Sequence, residues 1–130
     1  MSAKELPLEG TLVLDCSRML PGAVLARALL DLGARLVKVE EPAMGDPMRI
    51  TPPAVDGVGA GFATFLRGAE SISLDLSSPK GRSALRELAR HADVLVESFR
   101  PGSLQRWGLG PDLLRSDNPA LVICSLKGFG

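Results

Sequence analysis

Short apolar runs and amphipathic segments alternate along the first third of the chain. TLVLDCS at 11–17 is short and mostly apolar, which predicts a buried strand. PGAVLARALLDLGA at 21–34 has proline at its start and Gly33 near its end, as helices do. RLVKVEEP at 35–42 predicts a second strand that ends at Pro42. Because the connections are short, these segments predict a βαβ unit with parallel strands.

The same alternation continues after a long interruption. SISLDL at 71–76 alternates apolar and polar positions and predicts a strand. SSPKGRSALRELARHA at 77–92 places its apolar residues on one face, which predicts a helix with Pro79 near its first turn. DVLVESF at 93–99 is again apolar and predicts the fourth strand.

Two short helical pieces, around 103–107 and 111–116, precede a fifth strand predicted at 119–126, PALVICSL. Five strands with helices between them predict an α/β fold of the doubly wound, Rossmann-like type with a mostly parallel sheet. The sequence ends four residues after the last strand, whereas central parallel strands need both faces covered. We therefore expect the sheet to be incomplete in this chain.

The interruption, residues 44–65, is rich in glycine and proline and predicts a long irregular loop, with a short helix starting near 61–65. GVGAGF at 57–62 resembles a dinucleotide-binding fingerprint in its glycine content. That fingerprint needs a strand immediately before it, and a Pro-Pro loop precedes this one. We therefore expect a flexible loop at this position rather than a phosphate cradle.

Composition excludes several classes of function. Lys plus Arg and Asp plus Glu number 15 each in 130 residues, so no net field attracts nucleic acid or an anionic membrane. The amino terminus has no apolar core of signal-peptide length, and we expect a cytoplasmic protein of one domain. Cys16 and Cys124 are distant in sequence and predict free thiols, and a single His gives no case for a metal site.

Three polar residues near predicted strands have more than one interpretation. Asp15 ends the first strand, where open α/β sheets bind ligands, but a carboxylate there is at least as often a helix cap or loop organiser. Lys38 lies among apolar residues, so we expect its stem in the core and its amine at an edge. His91 follows a helix and is best explained as a partner of the helix dipole.

Four cations follow the carboxyl ends of predicted strands or lie in connections at that end: Arg67, Arg100, Arg106 and Lys127. Ligands of open parallel sheets bind at this edge, and guanidinium groups form paired hydrogen bonds with phosphate. The set suits a polyanionic cofactor, while a solvated rim remains an equal alternative for each cation taken alone.

Five segments together resemble the N-terminal part of the class III coenzyme A (CoA) transferases, a family that includes the formyl-CoA and carnitine CoA-transferases and the α-methylacyl-CoA racemases. In chain order they read PLEGTLVLDCSRMLPG, LDLGARLVKVEEP followed by GDPMR, SISLDLSSPKGRSALREL, ADVLVESFRPGSLQRWGLG and NPALVICSLKGFG. The resemblance extends from Pro7 to Gly130. It implies that residues 1–130 form the N-terminal part of a large CoA-binding α/β domain whose second domain and C-terminal segment are absent.

The resemblance also implies where CoA or an acyl-CoA substrate lies, namely along the carboxyl ends of the strands. The residues that match the family's cofactor-binding positions are Met19, Leu20, Leu66, Arg67, Gly68, Ser98, Phe99 and Arg106. Arg106 matches an arginine that contacts CoA phosphate. Two acids, Glu41 and Glu70, stand where the family often has cations, which weakens attraction for phosphate.

The resemblance implies no catalytic residue in this chain, because the family's transferase aspartate, and the His and Asp of its racemases, follow the Gly-Phe-Gly loop. The parent activity is transfer of CoA between carboxylic acids. Racemisation of an acyl-CoA and a non-catalytic CoA-binding or assembly module are the alternatives. The family's interlocked dimers imply a homo-oligomer, or a companion polypeptide that completes the fold, with no nucleic acid or membrane as partner and no metal.

Overall fold

The computed structural model describes residues 5–129. A short 3₁₀ helix spans Pro47–Arg49. The other elements, in chain order, are β1 (Leu12–Cys16), α1 (Met19–Asp31), β2 (Arg35–Glu40), β3 (Ala54–Val55), β4 (Val58–Gly59), α2 (Ala60–Phe65), β5 (Glu70–Ser73), α3 (Pro79–Ala89), β6 (Val94–Glu97), α4 (Ser103–Arg106), α5 (Pro111–Asp117) and β7 (Val122–Ser125).

Five of the strands form one parallel sheet in the order β5-β2-β1-β6-β7. In the centre, Leu14 of β1 is in register with Val37 of β2 on one side and Leu95 of β6 on the other. The chain builds outward from β1 in one direction and then returns to build from β6 in the other. The predicted doubly wound fold is therefore confirmed, and its topological switch point lies between β1 and β6.

The two faces of the sheet are covered by different helices because successive strand residues point to opposite sides. Leu14 and Leu95 are fully buried with Leu85 of α3 and Leu114 of α5 on one face. The opposite face packs against α1 and α2 through a second cluster: Val13, Ala26, Ala34, Leu36, Leu66 and Val96. Each fully buried leucine contributes about 1.5–3 kcal/mol relative to an exposed one, so the sheet is held from both sides.

Helix α3 begins one residue after Ser78, whose Oγ accepts a hydrogen bond from the Gly81 amide at 3.0 Å. Gly81 lies so close to the preceding loop that an added Cβ would be 2.0 Å from the Asp75 carbonyl oxygen. Only glycine fits this contact. The cap and the contact together fix residues 75–78 at the carboxyl end of β5.

The segment 44–65 has secondary structure where the sequence predicted an irregular, flexible loop. It contains the 3₁₀ helix, an antiparallel hairpin of β3 and β4, and α2, which begins one residue before the predicted short helix. Gly59 packs against backbone, since an added Cβ would lie 2.0 Å from the Met48 carbonyl oxygen. Gly59 therefore serves close packing of the chain, whereas an added Cβ at Gly57 would meet nothing within 4 Å.

The last strand, β7, pairs with β6 and with no other strand among residues 5–129. The Val122 side chain on this strand is 58% exposed. Within the described residues, no helix has the length and apolar character needed to cross a membrane.

Candidate functional site

A cleft of about 230 Å³ lies at the carboxyl ends of the strands, beside the switch point. Its walls come from the ends of β1, β2 and β6 and from the loop after β5. The lining residues are Cys16, Arg18, Val39, Glu40, Glu41, Leu74, Asp75, Leu76, Ser77, Phe99 and Trp107. Open α/β sheets bind their ligands at this position.

Two aromatic side chains form one wall of the cleft. The rings of Phe99 and Trp107 meet edge to face, with centroids 5.0 Å apart and planes at 74°. They meet because the chain turns sharply between them: Gly102 has φ of +79°, a left-handed conformation that glycine adopts without strain. The Phe-Arg-Pro-Gly stretch therefore ends the strand and returns the chain, through α4, to the same cleft.

The corner between β1 and α1, residues 17–19, has all three of its backbone N–H groups bonded to side chains. The acceptors are Asp15 at 2.9 Å, Ser98 Oγ at 2.9 Å and Asp46 at 3.3 Å. These amides are consequently not free to bind a ligand anion, unlike those of a phosphate-binding helix start. The positive group that this corner presents to the cleft is the Arg18 side chain.

Beneath the corner lies a buried ionic cluster. The Lys38 ammonium is 3.1 Å from Asp15 Oδ2 and 3.1 Å from Asp46 Oδ2, and it also donates to the Ser17 carbonyl. All four residues are buried, with Lys38 only 1% exposed. The expectation that the Lys38 amine emerges at an edge is wrong, because three acceptors surround it inside the fold. The loop-organiser interpretation of Asp15 agrees with its bonds to Ser17.

A second ionic group joins β2 to the 3₁₀ helix and β5. Glu40 accepts hydrogen bonds from the Arg49 guanidinium at 2.6 and 2.7 Å, from Ser71 Oγ at 2.6 Å and from the Asp46 amide at 2.9 Å. Arg49 also stacks over the Phe62 ring at 4.0 Å. Burial alone would raise the pKa of Glu40, but the bonds from Arg49, Ser71 and Asp46 outweigh it and lower the pKa to about 2.

This lowered pKa predicts how the stability of the chain depends on pH. Because the folded-state pKa of Glu40 is below its ordinary value of 4.5, the stabilisation is fully present above pH 4.5 and is lost as the pH falls toward about 2. We expect the urea midpoint of Glu40→Gln to be lower than that of the wild type at pH 7 and to vary less between pH 4.5 and 2. Identical pH profiles for the two proteins would contradict the assignment.

Lys127 and Cys16, two other residues near the ends of strands, have partners or surroundings within the fold. Lys127 donates to both Glu97 carboxylate oxygens, at 2.9 and 3.1 Å, and to the Phe99 carbonyl at 2.6 Å, so this predicted rim cation holds the turn after β6. Burial, and then the Asp15 carboxylate, raise the pKa of the Cys16 thiol. Cys16 therefore lines the cleft as a neutral, apolar group.

The predicted site residues differ in where they lie relative to this cleft. Phe99 lines it, and Ser98 holds the Arg18 amide beside it. Met19 and Leu20 start α1 with exposed side chains, and Met19 has φ of +64°.

The other four predicted residues do not line the cleft, and neither do Ser98, Met19 and Leu20. Leu66 is only 6% exposed and packs into the α1 face of the core, while Arg67 and Gly68 follow it on the surface. Arg106 is exposed on α4, directly before Trp107, and its guanidinium donates to Ser103 Oγ at 2.9 Å. The Leu66 side chain is therefore part of the core in this structure.

Of the eleven residues that line the cleft, the predicted cofactor-binding set includes only Phe99, and the residues it left out include Arg18, Asp75, Ser77 and Trp107. Arg18 directly follows the first predicted strand, and Asp75 lies near the end of the strand predicted at 71–76, so their positions at strand ends could have indicated them. Trp107 is the only tryptophan of the chain and follows Arg106 in the same motif. Its side-chain position depends on the left-handed turn at Gly102, which the local pattern does not specify.

The two acids that depart from the family pattern have structural partners. Glu70 receives two hydrogen bonds from Arg35, at 2.6 and 3.0 Å, which offset its charge. Glu41 lines the cleft, and its carboxylate accepts from the Ala43 and Met44 amides, which lower its pKa. Glu41 is therefore the departure that faces the cleft.

Comparison with known proteins gives a consistent family. Residues 8–130 match the sequence model of CoA-transferase family III. The succinyl-CoA–D-citramalate CoA-transferase of Chloroflexus aurantiacus is 38% identical over 125 residues, covering 95% of this chain and 31% of that protein. The acetyl-CoA:oxalate CoA-transferase of Acetobacter aceti is 41% identical over 124 residues, covering 95% and 32% respectively.

Solved structures agree with the sequence relatives. Rv3272 from M. tuberculosis, in its orthorhombic form, superposes with a TM-score of 0.91 at 37% identity over 98% of this chain and 36% of that chain. A CAIB/BAIF family protein from Brucella suis gives 0.89 at 39% identity over 98% and 35%. The chain thus spans about a third of the length of these relatives. Since the family model covers nearly the whole chain, this protein belongs to CoA-transferase family III.

Proposed function

We propose that this chain is the N-terminal, CoA-binding part of the large α/β domain of an enzyme that moves CoA between carboxylic acids. The observation that carries the proposal is the cleft at the switch point, which combines an aromatic wall with a cation on a fixed corner. Family membership supports it. The named relatives use succinyl-CoA with citramalate and acetyl-CoA with oxalate, so we propose a small acyl-CoA and a short carboxylic acid as substrates.

In this proposal the nucleotide of CoA occupies the cleft. The adenine packs against Trp107 and Phe99, because aromatic faces stack with bases at about 1–3 kcal/mol per base. Arg18 at the corner binds one phosphate group, and Arg106, which is exposed on α4 directly before Trp107, binds another outside the cleft. Glu41 accepts hydrogen bonds from the base or the ribose, a role that suits a carboxylate already fixed by two backbone amides.

The other predicted contacts belong to the rest of the coenzyme. Met19 and Leu20 border it with exposed apolar side chains beside the corner, and Ser98 acts through the Arg18 amide. In the segment 66–68 the buried Leu66 side chain anchors the chain, so a contact with the coenzyme comes from Arg67 and the Gly68 backbone.

The proposed partner is a further polypeptide that covers β7, either from a second copy or from a companion chain. The exposed Val122 side chain on β7, which is an edge strand of the sheet, supports this proposal. Two relatives are named as alpha and beta subunits of a succinyl-CoA–L-malate CoA-transferase, which gives the proposal a precedent.

The sole tryptophan makes the proposal testable by fluorescence. We expect CoA to quench Trp107 emission in a saturable way and to release heat in calorimetry with the same affinity. Pantetheine, which lacks the nucleotide, is the matched control ligand and should leave the emission unchanged. A CoA titration without quenching and without heat would contradict the proposed function.

Replacement of Arg106 by alanine tests the predicted phosphate contact. We expect Arg106→Ala to weaken CoA binding by about 1.5–3 kcal/mol, the range for a hydrogen bond to a charged group, with a smaller loss for dephospho-CoA. Arg115→Ala is the matched control, because Arg115 is an exposed arginine on the neighbouring α5. Equal CoA affinity in calorimetry for wild type and Arg106→Ala would return Arg106 to the solvated rim.

A further inference from the structure

We propose that Lys38 is a positioning residue for the cleft: its buried ammonium joins the corner at residues 17–19 to the loop after β2 and thereby fixes Arg18 on the cleft wall. The part of this inference that concerns the coenzyme rests on the proposed function. The part that concerns the corner rests on the geometry alone.

The first step is that the polar partners of the Lys38 ammonium all lie inside the fold. The ammonium donates hydrogen bonds to Asp15 Oδ2 and to the Ser17 carbonyl, and it forms an ion pair with Asp46 Oδ2 at 3.1 Å. Lys38 is 1% exposed and is not among the residues that line the cleft. It therefore does not contact a ligand there and acts through the groups that it binds.

The second step is that those groups hold the residues on both sides of Arg18. Asp15 uses its other carboxylate oxygen to accept from the Ser17 amide at 2.9 Å. Asp46 accepts from the Met19 amide at 3.3 Å, where the backbone is left-handed with φ of +64°. The residue before Arg18 and the residue after it are thus each bonded to a carboxylate that forms an ion pair with Lys38.

The third step concerns the loop after β2, which supplies Asp46 from a different part of the chain. Asp46 is held in turn by its own amide, which donates to Glu40 at 2.9 Å, and by the Met48 amide, which donates to its Oδ1 at 2.9 Å. Glu40, the last residue of β2, and Glu41, the first residue of this loop, line the cleft. The Lys38 contacts therefore set two walls of the cleft relative to each other.

The fourth step is that stability alone does not account for this cluster. Taking an ammonium and two carboxylates out of water is costly, and apolar residues of similar size at such positions often give equal or greater stability. An ionic cluster does, however, fix direction and register, since each hydrogen bond requires a defined geometry. A defined direction and register are what the corner at residues 17–19 needs in order to present Arg18 to a ligand.

The decisive variant is Asp46→Asn, which removes one charge and one acceptor and keeps the size of the side chain. Lys38 retains Asp15 as its counter-ion, so the change leaves no unpaired buried charge and the fold is expected to persist. We expect CoA affinity to fall about tenfold in the wild-type background and less than about threefold in an Arg18→Ala background, because groups that act through one another are non-additive.

Asp117→Asn provides the matched control for general loss of stability. Asp117 forms an ion pair with Arg86 between α5 and α3 and is not among the cleft residues. It should lower the urea midpoint without changing CoA affinity. Equal and additive losses from Asp46→Asn in the two Arg18 backgrounds, or a loss of CoA affinity in Asp117→Asn as large as that in Asp46→Asn, would overturn the positioning role.

Amide hydrogen exchange tests the corner without any ligand. In Asp46→Asn we expect the Met19 amide, and with it that of Arg18, to exchange at least about tenfold faster, while the amides of β1, β2 and β6 keep their protection. Unchanged exchange at both corner amides would refute the proposal whatever the CoA titrations give. Failure of wild-type CoA binding with faster corner exchange in the variant would refute the proposed function and leave the positioning of the corner supported.

Discussion

Replacement of Lys38 by methionine is expected to destabilise the chain by about 3–5 kcal/mol, because it leaves two buried carboxylates without a counter-ion. Asp15 and Asp46 lie on either side of the ammonium at 3.1 Å, and both are almost completely buried. Methionine preserves most of the side-chain volume, so the loss comes from charge rather than from a cavity. Since small domains have about 5–15 kcal/mol of total stability, this single change removes a large fraction of it.

Urea unfolding monitored by circular dichroism measures this effect. Lys80→Met is the matched control, since Lys80 is exposed on α3 and its loss should change the free energy of unfolding by less than about 0.5 kcal/mol. Neutralising the orphaned acids, in Lys38→Met combined with Asp15→Asn and Asp46→Asn, should restore part of the loss. A Lys38→Met protein as stable as the wild type would show that the ion pairs do not form as described.

Local sequence patterns were sufficient for the sheet and its helices because those elements depend on neighbouring residues. Strand β6 and helix α5 lie within one or two residues of their predicted ranges, since apolar runs and the proline at the start of α5 mark them directly. The start of α1 was placed two residues too late. Its first residue, Met19, has a left-handed backbone that is stabilised by the distant Asp46, and no local signal reports such a contact.

The cleft was harder to predict because its lining residues are distant in sequence and come together only when the chain folds. Lys38 finds its acceptors because β1 and β2 are adjacent in the sheet and because the loop after β2 folds back over them. Read along the chain alone, a lysine among apolar residues is typical of an amphipathic side chain whose amine reaches solvent. Phe99 was found through its motif, whereas Trp107 meets it only after the turn at Gly102.

The structure also explains why the three acids at the strand ends are not expected to act as nucleophiles for CoA transfer. A carboxylate that attacks a thioester needs a free oxygen within reach of the carbonyl, in a site sheltered from water. Three acids lie at strand ends, and each is held in an ion pair: Asp15 with Lys38, Glu40 with Arg49 and Glu97 with Lys127. Each of these carboxylates also accepts at least one further hydrogen bond. Asp15 accepts from Ser17, Glu40 from Ser71, and Glu97 from the Phe99 amide.

We therefore expect the 130-residue chain alone to show no turnover of acyl-CoA, even where it binds CoA. The experiment incubates the chain with succinyl-CoA and a second carboxylic acid, with a full-length family member assayed in parallel to show that the reaction is detectable. Intact-mass spectrometry looks for a CoA thioester on the protein, and chromatography looks for an exchanged acyl-CoA. The physical reason for a negative result is that attack by Asp15, Glu40 or Glu97 would first break an ion pair within the fold. A protein-bound thioester that disappears in Asp15→Asn, Glu40→Gln or Glu97→Gln would contradict this and identify a nucleophile among these acids.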